Sequence, residues 1–190
     1  MAVAFYYDMT SCIGCKACQM ACKDKNDLGI GTLYRHVEGY EVGNYPSPGI
    51  FYMSSSCNHC GAPACMAACA SGAIYQNDEG VVLIDAELCD GCGACVTACP
   101  YGAPKVLADK GIAGKCDTCV GIRANGNQPQ CVAACPMRAL DFGELTEMMA
   151  KYPEAVTLDK IAVMPESATV PATLVTPKKI VSADATQKFF

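Results

Sequence analysis

"SCIGCKACQMACK", residues 11–23, places four cysteines close together. Cys12, Cys15 and Cys18 are each separated by two residues, and Cys22 stands off by three. The grouping recurs along the chain. Cys57, Cys60, Cys65 and Cys69 fall in "CNHCGAPACMAAC"; Cys89, Cys92, Cys95 and Cys99 fall in "CDGCGACVTACP". Cys116, Cys119, Cys131 and Cys135 fall in "CDTCVGIRANGNQPQCVAACP". These groups use all 16 cysteines of the 190-residue chain.

Such cysteine density suggests either a disulfide scaffold or metal centres. Disulfide-dense domains are usually small and secreted. The opening "MAVAFYYDMTSC" lacks the basic, apolar and cleavage regions of a secretory leader. Cysteines two and three residues apart pair poorly with one another, whereas a metal centre requires such crowding. The rest of the core is thin: aromatic residues are 7% and there is no Trp. Something besides side chains is expected to fill the middle. No apolar run approaches a membrane span; "VVLI" at 81–84 is far too short. The net charge is −5 with no basic run, which excludes nucleic acid as a partner.

Every group opens with C-x2-C and closes with C-x3-C, the spacing of bacterial two-cluster ferredoxins. A tight loop wraps three irons of a cubane, and small residues such as Gly14, Gly91 and Gly93 let it turn closely. The fourth cysteine is expected to open a short helix that carries its sulfur to the other cluster. Zinc prefers two C-x2-C pairs separated by a longer loop, and the triple runs would strand thiolates. The full complement of cysteines predicts four 4Fe–4S clusters.

Between motifs two and three, "AIY" and "VVLID" read as strands joined by the turn "QNDEG". Motif, hairpin and motif make one ferredoxin unit. Cys57, Cys60, Cys65 and Cys99 are expected on one cluster; Cys69, Cys89, Cys92 and Cys95 on the other. "AVAFYYD" reads as a strand entering motif one, and "RALDFG" is expected to pair near motif four. The predicted fold class is α+β: two nested bacterial-ferredoxin-like units holding four clusters, with an extended C-terminal arm. The outer unit covers 1–56 and 100–150, the inserted unit 57–99, and the arm 151–190.

Four clusters with their thiolates bring the formal charge to about −13, which must be compensated. Lys16, Lys105, Lys115 and Arg123 lie near the motifs and are candidates to raise cluster potentials. His59 is expected to hydrogen-bond near a cluster or face solvent, and His36 to be structural or exposed.

The stretches "CIGCKACQMACKDKNDL", "SCNHCGAPACMAACASGAI", "CDGCGACVTACPYGAPK" and "KCDTCVGIRANGNQPQCVAACPMRALDFG" resemble the iron–sulfur subunit of DMSO reductase and related molybdopterin oxidoreductases. Cys95 stands where nitrate-reductase-type relatives carry Trp, which disfavours that subtype. The resemblance implies an electron-transfer subunit between a molybdopterin-containing catalytic subunit and an integral membrane anchor subunit that handles quinol. It implies one cluster on Cys12, Cys15, Cys18 and Cys135, nearest the catalytic subunit. The next is on Cys22, Cys116, Cys119 and Cys131, then the two inner clusters, with that of Cys69, Cys89, Cys92 and Cys95 toward the anchor. It also implies a peripheral location held by partners, on the exported side of the membrane.

Residues 151–190 carry four prolines and no glycine, and read as extended. Their apolar residues Ile161, Val163, Val170, Leu174 and Val175 suggest an arm lying along a partner. No nucleophile–base set stands out, and the chain is expected to have no catalysis and no small-molecule substrate of its own. The rival reading is a free-standing soluble polyferredoxin.

Overall fold

"VAFYYD" is aromatic and β-branched, and forms the first strand, β1 (Val3–Asp8), in the computed structural model, which describes residues 2–188. Its four central residues are all buried, as suits a strand inside a sheet. Motif one then winds into α1 (Ala17–Lys25). A hairpin follows, β2 (His36–Val42) and β3 (Gly49–Ser55), with His36 opposite Ser55. Its inner face seats Phe51 and Met53 in the core. Motif two leads through α2 (Ala64–Ala67) to the hairpin β4 (Ile74–Gln76) and β5 (Val82–Ile84). In the turn, Asn77 Oδ1 accepts from the N–H groups of Glu79 and Val81, so "QNDEG" behaves as its composition predicts.

Motif three holds α3 (Ala94–Ala98), and a small hairpin, β6 (Lys105–Leu107) and β7 (Ile112–Gly114), leads to motif four. Motif four uses two short helices, α4 (Val120–Arg123) and α5 (Gln130–Ala133). Then come β8 (Leu140–Glu144), α6 (Leu145–Lys151), β9 (Val156–Thr157), β10 (Leu174–Thr176) and β11 (Thr186–Lys188). The main sheet has the order β8-β1-β10-β9, and β11 joins the β2–β3 hairpin. β1 and β8 run antiparallel with Phe5 opposite Phe142, ring centroids 4.9 Å apart, so the partner of "RALDFG" is the first strand. Helix α1 packs on α5 and α2 on α3. Motif one therefore meets motif four, and motif two meets motif three.

Two expectations change. The first concerns the helices, predicted to open at each fourth cysteine. They open at or before the third: Cys18 lies in the first turn of α1, Cys65 in α2, Cys95 in α3 and Cys131 in α5. The fourth lies within α1 (Cys22) or just past the helix (Cys69, Cys99, Cys135). In α1, Cys18 and Cys22 are four residues apart, so the helix stacks them on one face about 6 Å apart along its axis. The helix itself separates the two sulfurs.

The second change is the C-terminal arm. The apolar residues assigned to a partner pack mostly on their own chain: Ile161, Leu174 and Val175 are buried, and Val163 packs at the core's edge. Only Val170 stays well exposed, at 65%. β10 pairs in parallel with β1, Tyr6 opposite Leu174, and so covers an edge that would otherwise be open. Before it, the chain straps over motif two. The N–H groups of Gly61 and Ala62 donate to Val170 and Thr169, and that of Ala172 to Asn58. Residues 189 and 190 lie outside the described residues.

Candidate metal centres

The loops that carry the thiols share one backbone device. The residue before the second cysteine has a positive φ in all four motifs: Gly14 (71°), His59 (43°), Gly91 (69°) and Thr118 (56°). Glycine adopts this freely, whereas His59 and Thr118 must be held there. His59 Nδ1 accepts from the Val82 N–H at 3.1 Å. Thr118 is gripped by Arg123, whose Nε donates to its carbonyl (3.1 Å) and Nη2 to its hydroxyl (3.0 Å). At Gly91 a side chain would also collide with the Gly111 carbonyl.

All sixteen cysteines are free thiols, so the disulfide alternative fails. Cys12, Cys15, Cys18 and Cys135 line one small pocket, walled by Tyr7, Ile13 and Leu140 among others. Cys57, Cys60, Cys65 and Cys99 line a second, beside Pro63, Val82 and Pro104. Each pocket takes three thiols from one motif and the last from another, and their similar size suits one kind of guest. Burial pushes the Cys22 thiol up to about 11, with Arg35 opposing and Cys131 and Cys119 adding to it. Cys116, likewise raised by burial, feels Cys57 and then Cys131 and Cys22. Cys95 is raised by burial and by Cys89, Cys69 and Cys92. These influences link Cys22 with Cys131 and Cys119, Cys116 with Cys57, Cys131 and Cys22, and Cys95 with Cys89, Cys69 and Cys92.

The thiol neighbourhoods adjoin. Cys18 feels Cys131 after burial and its polar neighbours, Cys116 feels Cys57, and Cys65 and Cys95 share one small core cluster. Among the described residues no three His, Cys, Asp or Glu side chains converge on a point-ion site. The thiols surround space instead, which fits a polynuclear iron–sulfur group better than zinc. Buried thiols with raised pKa values hold their protons until such a group displaces them.

Residues 49–145 match the 4Fe-4S dicluster domain family, and residues 9–26 the 4Fe-4S binding domain family. The chain is 42% identical to the probable anaerobic dimethyl sulfoxide reductase protein YnfG of Escherichia coli, over 86% of this chain and 82% of the relative. It is 41% identical to the B subunit of the anaerobic dimethyl sulfoxide reductase of Haemophilus influenzae, over 92% and 89%. The chain belongs to the iron–sulfur subunits of the DMSO reductase family. The thiosulfate reductase electron transfer subunit PhsB of Salmonella typhi is 37% identical, over 74% and 75%. These relatives are electron-transfer subunits of oxidoreductase complexes, not catalytic ones, and this chain sits among them.

For a member of this family the surrounding charges matter. Lys115 is buried and donates to the carbonyls of Val82 and Cys116. Arg123 is committed to Glu79 at 2.7 Å, and Lys16 and Lys105 line an open groove. His59 is buried rather than solvent-facing. Burial, then Lys115, holds its pKa well below the usual value, and its Nε2 finds no protein partner among the described residues. His36 is half-buried with Nε2 3.7 Å from Glu38. The residue missed by sequence reasoning is Arg35, only 2% exposed. It lies far from any cysteine in sequence, so motif spacing carries no signal for it. Among the described residues no helix is long and apolar enough to cross a membrane.

Proposed function

We propose that the chain relays single electrons through four 4Fe–4S clusters, between a quinol-handling membrane anchor subunit and a molybdopterin catalytic subunit. The ligand sets are Cys12, Cys15, Cys18, Cys135; Cys22, Cys116, Cys119, Cys131; Cys57, Cys60, Cys65, Cys99; and Cys69, Cys89, Cys92, Cys95. They lie on two nested ferredoxin-like units, bounded at 57–99 for the inserted one. One observation carries this reading: the thiol neighbourhoods adjoin in series, and the two exposed thiols, Cys15 and Cys92, belong to the first and last of them. A wire needs its interior insulated and its ends reachable. Apolar residues also stand exposed by each end, Ile13 and Met137 by the first and Leu88 and Val106 by the last, as docking to partner subunits requires. The relatives' names support complexes of this kind. The chain is then peripheral, held by its partners, on the exported side.

The bound clusters supply the one-electron chemistry, and this chain's residues hold, insulate and tune them. Iron analysis of the isolated complex tests the count. About sixteen irons per chain are expected from four cubanes, and about eight would contradict it. The free polyferredoxin reading gains support from the C-terminal segment, which closes on its own chain. Co-purification separates the two: elution alone with intact clusters favours the free carrier.

A further inference from the structure

We propose that Arg35 is a shared countercharge for the first two clusters, raising both potentials; this rests on the four-cluster reading. Arg35 is buried, yet among the described residues no carboxylate lies within ion-pair distance of it. A lone buried guanidinium is costly to keep. Two other cations near the outer thiols bring their own carboxylates, Lys25 with Asp117 at 2.9 Å and Arg123 with Glu79 at 2.7 Å, and buried Lys115 is held by the carbonyls of Val82 and Cys116. Burial works against the charge of Arg35, and the facing groups that hold it protonated are Cys131, Cys18, Cys116 and Cys22. These sulfurs belong to the first two ligand sets alone.

The geometry is specific to the boundary between those sets. Cys18 and Cys22 lie one helical turn apart on α1 and serve different clusters. Arg35 reaches both. Burial raises the Cys22 thiol, and the Arg35 charge is the first influence to oppose it. Arg35 Nη1 donates to Ser54 Oγ at 3.1 Å, and Ser54 Oγ lies 3.5 Å from Cys18 Sγ. The fork is locked by Nη2 donating to Ser56 Oγ at 2.9 Å, and the guanidinium stands 4.9 Å from the Phe5 ring centroid. Four thiolates on a 2+ core carry a formal charge of about −2, and one-electron reduction makes it about −3. A fixed cation beside two such groups stabilises the reduced form of each.

The test is an EPR-monitored redox titration of the complex carrying Arg35→Gln, with iron analysis alongside. The expected result is a fall of at least tenfold in the reduced-to-oxidised ratio of clusters one and two at fixed potential. That is a downward shift of about 59 mV for a one-electron couple. Clusters three and four should hold their potentials. Arg35→Lys, which keeps the charge, should retain most of the wild-type potential at both. Ser54→Ala should lower cluster one and leave cluster two in place. Four clusters present but unmoved by Arg35→Gln, or all four moved equally, would overturn the proposal alone. Wild-type iron near eight would overturn the four-cluster reading and the proposal with it. If Arg35→Gln loses iron, Arg35→Lys decides: retained iron supports a charge role, and equal loss refutes it.

Discussion

The outer pair of motifs and the inner pair hold the same sulfur spacing in different surroundings. Motifs one and four bury Cys18, Cys22, Cys116, Cys119, Cys131 and Cys135. They are backed by the four-stranded sheet and face a buried arginine. Motifs two and three are backed by a two-stranded hairpin, and the last thiol set leaves Cys92 exposed with Cys69 and Cys89 half-buried. A repeated motif thus sets the ligands, while the surroundings set how charge is compensated. Water reaches Cys15 and Cys92 at the two ends; the buried thiols between them depend on fixed protein charges.

This contrast can be broken from the inner side most drastically. Gly91 has no room for a side chain, because its left-handed φ and the Gly111 carbonyl both oppose one. Gly91→Val should cost the fourth cluster, about four irons per chain, and leave the signals of the outer clusters intact. Iron analysis with EPR reads this directly. Survival of all four clusters would show that the loop does not need its left-handed turn at Gly91.

The outer side is tested next through its sheet. Leu174 is buried where β10 joins β1. Leu174→Ala should destabilise the loaded chain by about 3 kcal/mol. A thermal melt would show this, and an unchanged Tm would return the C-terminal segment to the role of a loose arm.

The smallest effect belongs to the rim of the same sheet. Burial works against ionisation of Asp141, and hydrogen bonds from Lys151 and Tyr152, 2.7 Å each, outweigh it and hold its carboxyl below the usual range. Its folded pKa is depressed, so its stabilisation is complete above the ordinary Asp pKa and is lost as pH falls through the folded value. Asp141→Asn should lower Tm slightly at neutral pH, with the difference closing in acid. A gap that widens in acid would reverse the sign.

What sequence makes legible follows from range. The cysteine groups, β1 and the β4–β5 hairpin rest on local spacing and alternation, and these carry through to the structure. The helix starts differ because the third cysteine both closes the loop and begins the helix, and spacing alone does not divide those roles. The C-terminal segment misleads because Leu174 and Val175 look partnerless in sequence; their partner is Tyr6 and its strand, reached only by folding back. Arg35 is invisible for the same reason: its meaning comes from four sulfurs supplied by distant segments.

The central claim is that one motif serves two clusters, with α1 handing off between Cys18 and Cys22. Cluster-by-cluster EPR of Cys22→Ser tests it most directly. The account predicts that the second cluster, shared with Cys116, Cys119 and Cys131, is lost or altered, while the first keeps its signal. A disturbed first cluster beside an unchanged second would contradict it.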